Sequence, residues 1–373
     1  MKIKSISFVV VLLLFLTSCG TSESEEPLHV SNQSYSATDK EEMSYTYASS
    51  ATLSAIGDIL IHDSLYKDAR TANGYDFKPM FAPVKPYLNK ADITFANSES
   101  MIGGSEIGLS SYPSFNSPYE VGDALADAGV DVVSMANNHT LDRGEQAIEN
   151  ALTYWDKLGI EHAGSYLSEE EQKEITTITK NNITFSFLAY TYGTNGIPVP
   201  DGKEYLVNLM DRSLMEEDIE KARKVSDVVV VSLHFGDEYV RFPDEKQQDV
   251  ARFAANNGAD IILGHHTHVL QPPEWIETED DRKAFVVYSL GNFISGQDKH
   301  HRRIGGVMNI EVVKQTDAKG SSIELQNSSF VPTYTKYTNF RNYEVVPLKQ
   351  YNETYYKETK EHMSTYMTDI QFP

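Results

Sequence analysis

The sequence predicts an α/β protein with a layered sheet core. Three observations predict it. Apolar strand-like runs alternate with helix-spaced segments from about residue 50 onward. Several of those runs are continuously apolar, as in strands covered on both faces. Five of them end in Asp, Glu, Asn or His, the place where open α/β sheets build their sites.

The elements follow in order. Residues 52–56 read as a short strand and 93–96 as a second, preceded by a helix-like stretch at 84–89. From 119 to 128, Val121, Leu125 and Ala128 fall at helical spacing; Gly129 stops the helix, and 130–136 runs as a buried strand. A helix over 145–158 is closed by Gly159. Segments 175–179 and 183–189, joined near Asn181-Asn182, predict a hairpin. Ser213 with Glu216 has capping-box spacing for a helix over 213–225. A strand at 227–233 carries four consecutive valines; a helix over 245–257 ends at Gly258, and a strand at 260–263 follows. Later strands fall at 284–290 and 307–313. Beyond 315 the helical signals thin, and edge strands plus a terminal helix near 355–367 are expected.

The bulk numbers bound the partners. A 373-residue chain with 40% hydrophobic residues can bury a large core, and its formal net charge of -22 repels nucleic acid and anionic lipid. An anionic substrate would need a local cationic site, from metal or arginine, to overcome that field.

The single cysteine, Cys19, excludes an intramolecular disulfide. It follows a basic start (Lys2, Lys4) and an apolar stretch at 6–16 too short for a comfortable membrane span. Leu16-Thr17-Ser18-Cys19 resembles the bacterial lipobox, which implies cleavage before Cys19, lipidation there and export. The expected organisation is a lipoprotein signal peptide at 1–18, a flexible polar tether at 19–47, a main α/β domain at 48–314, which the family resemblance below makes metallophosphoesterase-type, and a C-terminal extension at 315–373 packing on it. The protein would then sit lipid-anchored on the outer side of a bacterial cell membrane.

The strand ends carry the chemistry. Asp58 follows Gly57 and can bridge two cations, although Asp at such a turn reads more readily as a helix N-cap. Asn137-Asn138-His139 offers an amide oxygen and an imidazole, and serves equally well as a turn pair. Asp142, three residues on, can orient His139. His234 closes the valine strand, where a His is more often a rim residue than a ligand; Glu238 is its candidate orienting partner or a solvated charge. His265-His266-Thr267-His268 is the strongest signal: on an extended segment His266 and His268 share a face while His265 points away. Imidazole with carboxylate and amide oxygen suits zinc, manganese or iron better than calcium.

Taken in order, Gly57-Asp58, Asn97-Ser98-Glu99, Asn137-Asn138-His139, His234-Phe235-Gly236-Asp237-Glu238, Gly264-His265-His266-Thr267-His268 and Ser289-Leu290-Gly291-Asn292-Phe293 resemble the CapA family of poly-γ-glutamate capsule synthesis proteins, a branch of the calcineurin-like metallophosphoesterases. The resemblance spans about 53–313 and implies a four-layer αββα sandwich with two divalent metal ions. It implies Asp58, Glu99, Asn138, His234, His266 and His268 as ligands, His139 as acid or electrostatic partner to the leaving group, and Asn292 near the site. Arg302 and Arg303 are candidates to hold substrate carboxylates, or form a solvated basic turn. The implied partners are an anionic polymer such as poly-γ-glutamate and membrane synthetase subunits. Two functions follow: a metal-dependent hydrolase acting in polymer synthesis, export or processing, or a metal-stabilised scaffold subunit. A generic exported phosphoesterase fits less well. The first motif lacks the phosphatases' Asp-x-His (His62 stands four residues on), Glu99 stands where their second strand ends in Gly-Asp, and Asn137 replaces a glycine.

Overall fold

The structure is a computed structural model and describes residues 46–373. The expected signal peptide, Cys19 and nearly all of the expected tether lie outside the described residues.

In chain order the strands are β1 Tyr47–Leu60, β2 Arg70–Thr71, β3 Gly74–Tyr75, β4 Ile93–Asn97, β5 Val132–Ser134, β6 Glu161–Ala163, β7 Thr176–Lys180, β8 Ile183–Thr191, β9 Val228–His234, β10 Ile261–His265, β11 Leu270–Glu277, β12 Lys283–Leu290, β13 Asn292–Ser295, β14 Ile304–Asp317, β15 Gly320–Thr338 and β16 Arg341–Pro347. They form one eight-stranded sheet in the order β16-β15-β14-β1-β4-β5-β6, with β13 also paired to β1, and one six-stranded sheet in the order β11-β12-β10-β9-β8-β7. The central strands of each sheet are parallel. Their carboxyl ends therefore point the same way within a sheet, which is what gathers the motif residues.

Period-two alternation sets the layers. In β9, Val228 and Val230 face the interior between the sheets, while Val229, Val231 and Leu233 face the outer helices. Those helices, Arg212–Val225 and Glu245–Asn256, supply Met215, Ile219, Ala222, Ala251, Ala254 and Ala255 to the same outer core. The sheets meet at Phe95 of β4 and Phe187 of β8, stacked with centroids 6.3 Å apart. Helices Glu120–Ala128 and Gly144–Leu158 cover the larger sheet through Leu125, Ile148 and Trp155. The result is the four-layer αββα sandwich.

Three local expectations are corrected. The strand expected over 130–136 is paired only over Val132–Ser134. The Val130 N–H is still closing the preceding helix on the Leu125 carbonyl at 3.0 Å, and Ala136 already runs into the Asn137 turn. The helix expected from Ser213 begins one residue earlier, because Asp211 is its cap and accepts from the Leu214 N–H at 3.0 Å. The capping box belongs to the next helix, where Asp244 and Gln247 bond reciprocally. Beyond 315, β15 and β16 extend the larger sheet and the helix Glu353–Met363 follows.

Candidate metal centre

Glycines allow the first and fifth motifs to form. A Cβ on Gly57 would stand 1.9 Å from the Gly291 carbonyl oxygen, and one on Gly264 would stand 2.0 Å from that of Tyr288. No side chain fits either gap, so each strand passes close to its neighbour and delivers Asp58 and His265 to a fully buried position.

The motif residues of both sheets converge. Glu99, His234 and His266 offer atoms within 4.8 Å of one another, and so do Asp58, Glu99 and His268. Glu99 is common to both groups. Its Oε1 lies 3.7 Å from His234 Nε2 and 3.7 Å from His268 Nε2. Asn138 Oδ1 is 2.8 Å from His234 Nε2. Six of the expected ligands thus meet at one place, and all are buried.

Electrostatics favour a cation there. Both Glu99 oxygens are buried without a hydrogen-bond partner. Burial, and then the charge of Asp58, push the Glu99 carboxyl well above the usual range. For Asp58 burial also pulls upward, but hydrogen bonds from His265 and His268 prevail and hold it well below. Burial, with repulsion from His266, depresses His234, and burial with repulsion from His268 brings His266 down to about 4. Neutral imidazoles around an orphaned carboxylate are the donor set a divalent ion takes, so the residues present fit one.

The structure corrects several readings. Glu99 is the carboxylate common to both ligand groups, while the Asp58 oxygens lie 2.9 Å from Asn97 Nδ2 and 3.2 Å from His268 Nδ1. His265 does not point away: it ends β10 on the same inter-sheet face as Ile261 and Leu263, with its Nδ1 3.5 Å from Asp58 Oδ1, and residues 266–268 join it there because they leave the extended conformation. His266 (φ 89) and His268 (φ 58) adopt left-handed backbone, a strained state that a turn committed to presenting ligands can hold. His234 is oriented by Asn97, 3.4 Å from its Nδ1, whereas Glu238 is exposed on the loop. His62 lies outside both ligand groups; its Nδ1 accepts from the Gly296 N–H at 3.1 Å. Asn97 was missed because a buried Asn at a strand end carries no distinctive spacing; His265 was readable from its phase with Ile261 and Leu263 on the inner face of β10.

His139 has the expected partner. Its Nδ1 is 2.7 Å from Asp142 Oδ2, which also accepts the Phe115 N–H at 2.7 Å. This fixes the ring and leaves Nε2 for chemistry. Asn137 explains its own departure from glycine: its Oδ1 accepts from the His139 N–H at 2.9 Å, closing an Asx turn. Asn292 is buried and spends its amide internally, with Oδ1 3.1 Å from His268 Nδ1 and Nδ2 donating to the Arg302 carbonyl at 2.8 Å. These contacts tie His268 to the backbone at Arg302. Arg303 is also engaged elsewhere: its Nε donates to the Thr335 carbonyl at 2.9 Å, and it packs on Tyr334 and Tyr337.

Two histidines outside the cluster give a pH prediction. Burial pushes both His62 and His362 down to about 4. His268, Asp63 and His139 face the first; Arg241 and His301 face the second. Each stays neutral in the fold but protonates near about 6.5 when unfolded. Their contribution is present above about pH 6.5 and is lost progressively as pH falls toward about 4. The Tm of chelated protein is expected to drop across that window, and less steeply in a His62→Gln/His362→Gln variant. Equal slopes would contradict this.

The comparisons with known proteins point to one family. Residues 52–297 match the model of the family described as "Bacterial capsule synthesis protein PGA_cap". The chain is 30% identical over 239 residues to the PGA biosynthesis protein CapA of Bacillus subtilis (strain 168), covering 58% of this chain and 60% of that protein. It is 26% identical over 294 residues to the capsule biosynthesis protein CapA of Bacillus anthracis, covering 72% and 68% respectively. The match thus spans less than two thirds of the first relative's length. Among solved structures, TT1561 of Thermus thermophilus aligns at TM-score 0.40 and 9% identity, over 69% of this chain and 93% of that one, a likeness too low to carry an argument. The family match covers most of the chain and all six motifs from Gly57 to Phe293: this protein belongs to the bacterial capsule synthesis protein family PGA_cap.

Proposed function

We propose that this protein is a metal-dependent hydrolase acting on poly-γ-glutamate during capsule synthesis, export or processing. The observation that carries this reading is Glu99, a buried carboxylate with two orphaned oxygens shared by two ligand groups. Asp58, Glu99, Asn138, His234, His266 and His268 would hold two divalent ions of manganese, iron or zinc. Such ions supply Lewis acidity and activated water when bound. His139, held by Asp142, donates a proton from Nε2 to the leaving group. Arg302, at the rim, receives a substrate anion. The capsule role draws on what the two CapA relatives are named for.

In this reading Cys19 carries the lipid, the chain works outside the membrane, and synthetase subunits in that membrane hand it the polymer. The test is metal analysis of the full chain beside its Asp58→Asn/His266→Ala variant, followed by a screen of γ-glutamyl and phosphodiester substrates. About two equivalents of metal, lost in the variant, together with γ-glutamyl hydrolysis are expected. Metal without hydrolysis of either class would favour the scaffold; phosphodiester cleavage alone would favour an exported phosphoesterase.

A further inference from the structure

Among the described residues the Arg302 guanidinium has neither an ion-pair partner nor a hydrogen-bond acceptor, in a protein of 54 acidic and 32 basic residues. It lies flat on Tyr239, its central carbon 3.2 Å from the ring centroid.

Both members of that stack are tied to the turn that presents the cluster's histidines. The Tyr239 N–H donates to the Thr267 carbonyl at 2.7 Å. The Arg302 carbonyl accepts from Asn292, whose Oδ1 lies 3.1 Å from His268 Nδ1. The Tyr239 ring sits 6.0 Å from the His268 ring. Tyr239 also holds φ at 71°, a left-handed backbone that glycine would adopt more easily.

We propose that Tyr239 and Arg302 act as one unit, an anion clamp beside the cluster. Tyr239 is the positioning residue: it fixes the plane of the guanidinium. Arg302 presents its free donor fork to a carboxylate or phosphate of the substrate. Arg303, already spent on Thr335, takes no part. The clamp rests on the reading of the cluster as a metal-dependent site for an anionic polymer.

The test is calorimetric titration of the full-length, metal-loaded protein with a γ-linked glutamate pentamer and, separately, with inorganic phosphate. Arg302→Ala is expected to weaken the pentamer about tenfold or more, as loss of charged hydrogen bonds does. Arg302→Lys recovers little, since it lacks the planar fork. Tyr239→Gly is expected to keep or raise Tm while weakening the pentamer as much as Arg302→Ala, and the double variant adds nothing further. A purely structural tyrosine would move only Tm. Weakening of phosphate alone would assign the clamp to phosphate-bearing substrates. If the parent binds but Arg302→Ala shifts both probes less than about twofold, the clamp is wrong and the site reading stands. If the metal-loaded parent binds neither probe, both fall.

Discussion

Glu99→Gln is expected to stabilise the metal-free protein and to empty the centre of metal. The two effects have one cause. In the metal-free fold, Glu99 is a fully buried carboxylate whose oxygens find no donor, placed against Asp58. Leaving such a group unsatisfied costs about 1–3 kcal/mol or more. An amide of the same shape is neutral without having to take up a proton, and it can donate to Asp58. Chelated Glu99→Gln protein is therefore expected to melt a few degrees above the parent. Metal content moves the other way, and in both ligand groups, since Glu99 belongs to each. Thermal melts in chelator beside metal analysis decide the matter. A lower Tm, or a full metal complement in the variant, would refute the assignment of Glu99 as the shared ligand.

His139→Ala is expected to lower turnover by about 10²–10⁴-fold, the usual worth of a positioned general acid, while metal content stays unchanged. His139 and Asp142 belong to neither ligand group. Asp142→Asn is expected to cost about 10–100-fold, because the ring loses its carboxylate partner while the Phe115 N–H keeps an acceptor. If His139→Ala strips the metal, the residue is a ligand and the acid role fails.

The backbone plan was legible because its signals are periodic. The valine run of β9 and the Ile261–Leu263 run of β10 read as strands buried on two faces, and both faces are covered. The convergence of Asp58, Glu99, His234, His266 and His268 was legible because parallel strands expose their carboxyl ends together. Side-chain direction was not. His265 was assigned to the far face by carrying the alternation through 266–268, but the strand ends at His265 on the inner face of Ile261 and Leu263, and His266 then enters left-handed backbone. The sharing of Glu99 between two groups depends on how the sheets approach each other, and no spacing along the chain encodes that. Asp211 displaced Ser213 as a cap for a simpler reason: two capping residues stood two apart, and either could start the helix.

The ligand groups draw on both sheets. Asp58 and Glu99 come from β1 and the end of β4 in the larger one, His234 and the 266–268 turn from β9 and β10 in the smaller. An ion held there would act as a rivet through the mouth of the sandwich, where strands otherwise end and fray. Its binding energy would add directly to the cohesion of the two halves. Chelation should then loosen the strand ends around the mouth first, and faster amide exchange at Phe235 and Val269 than in the sheet centres would report it.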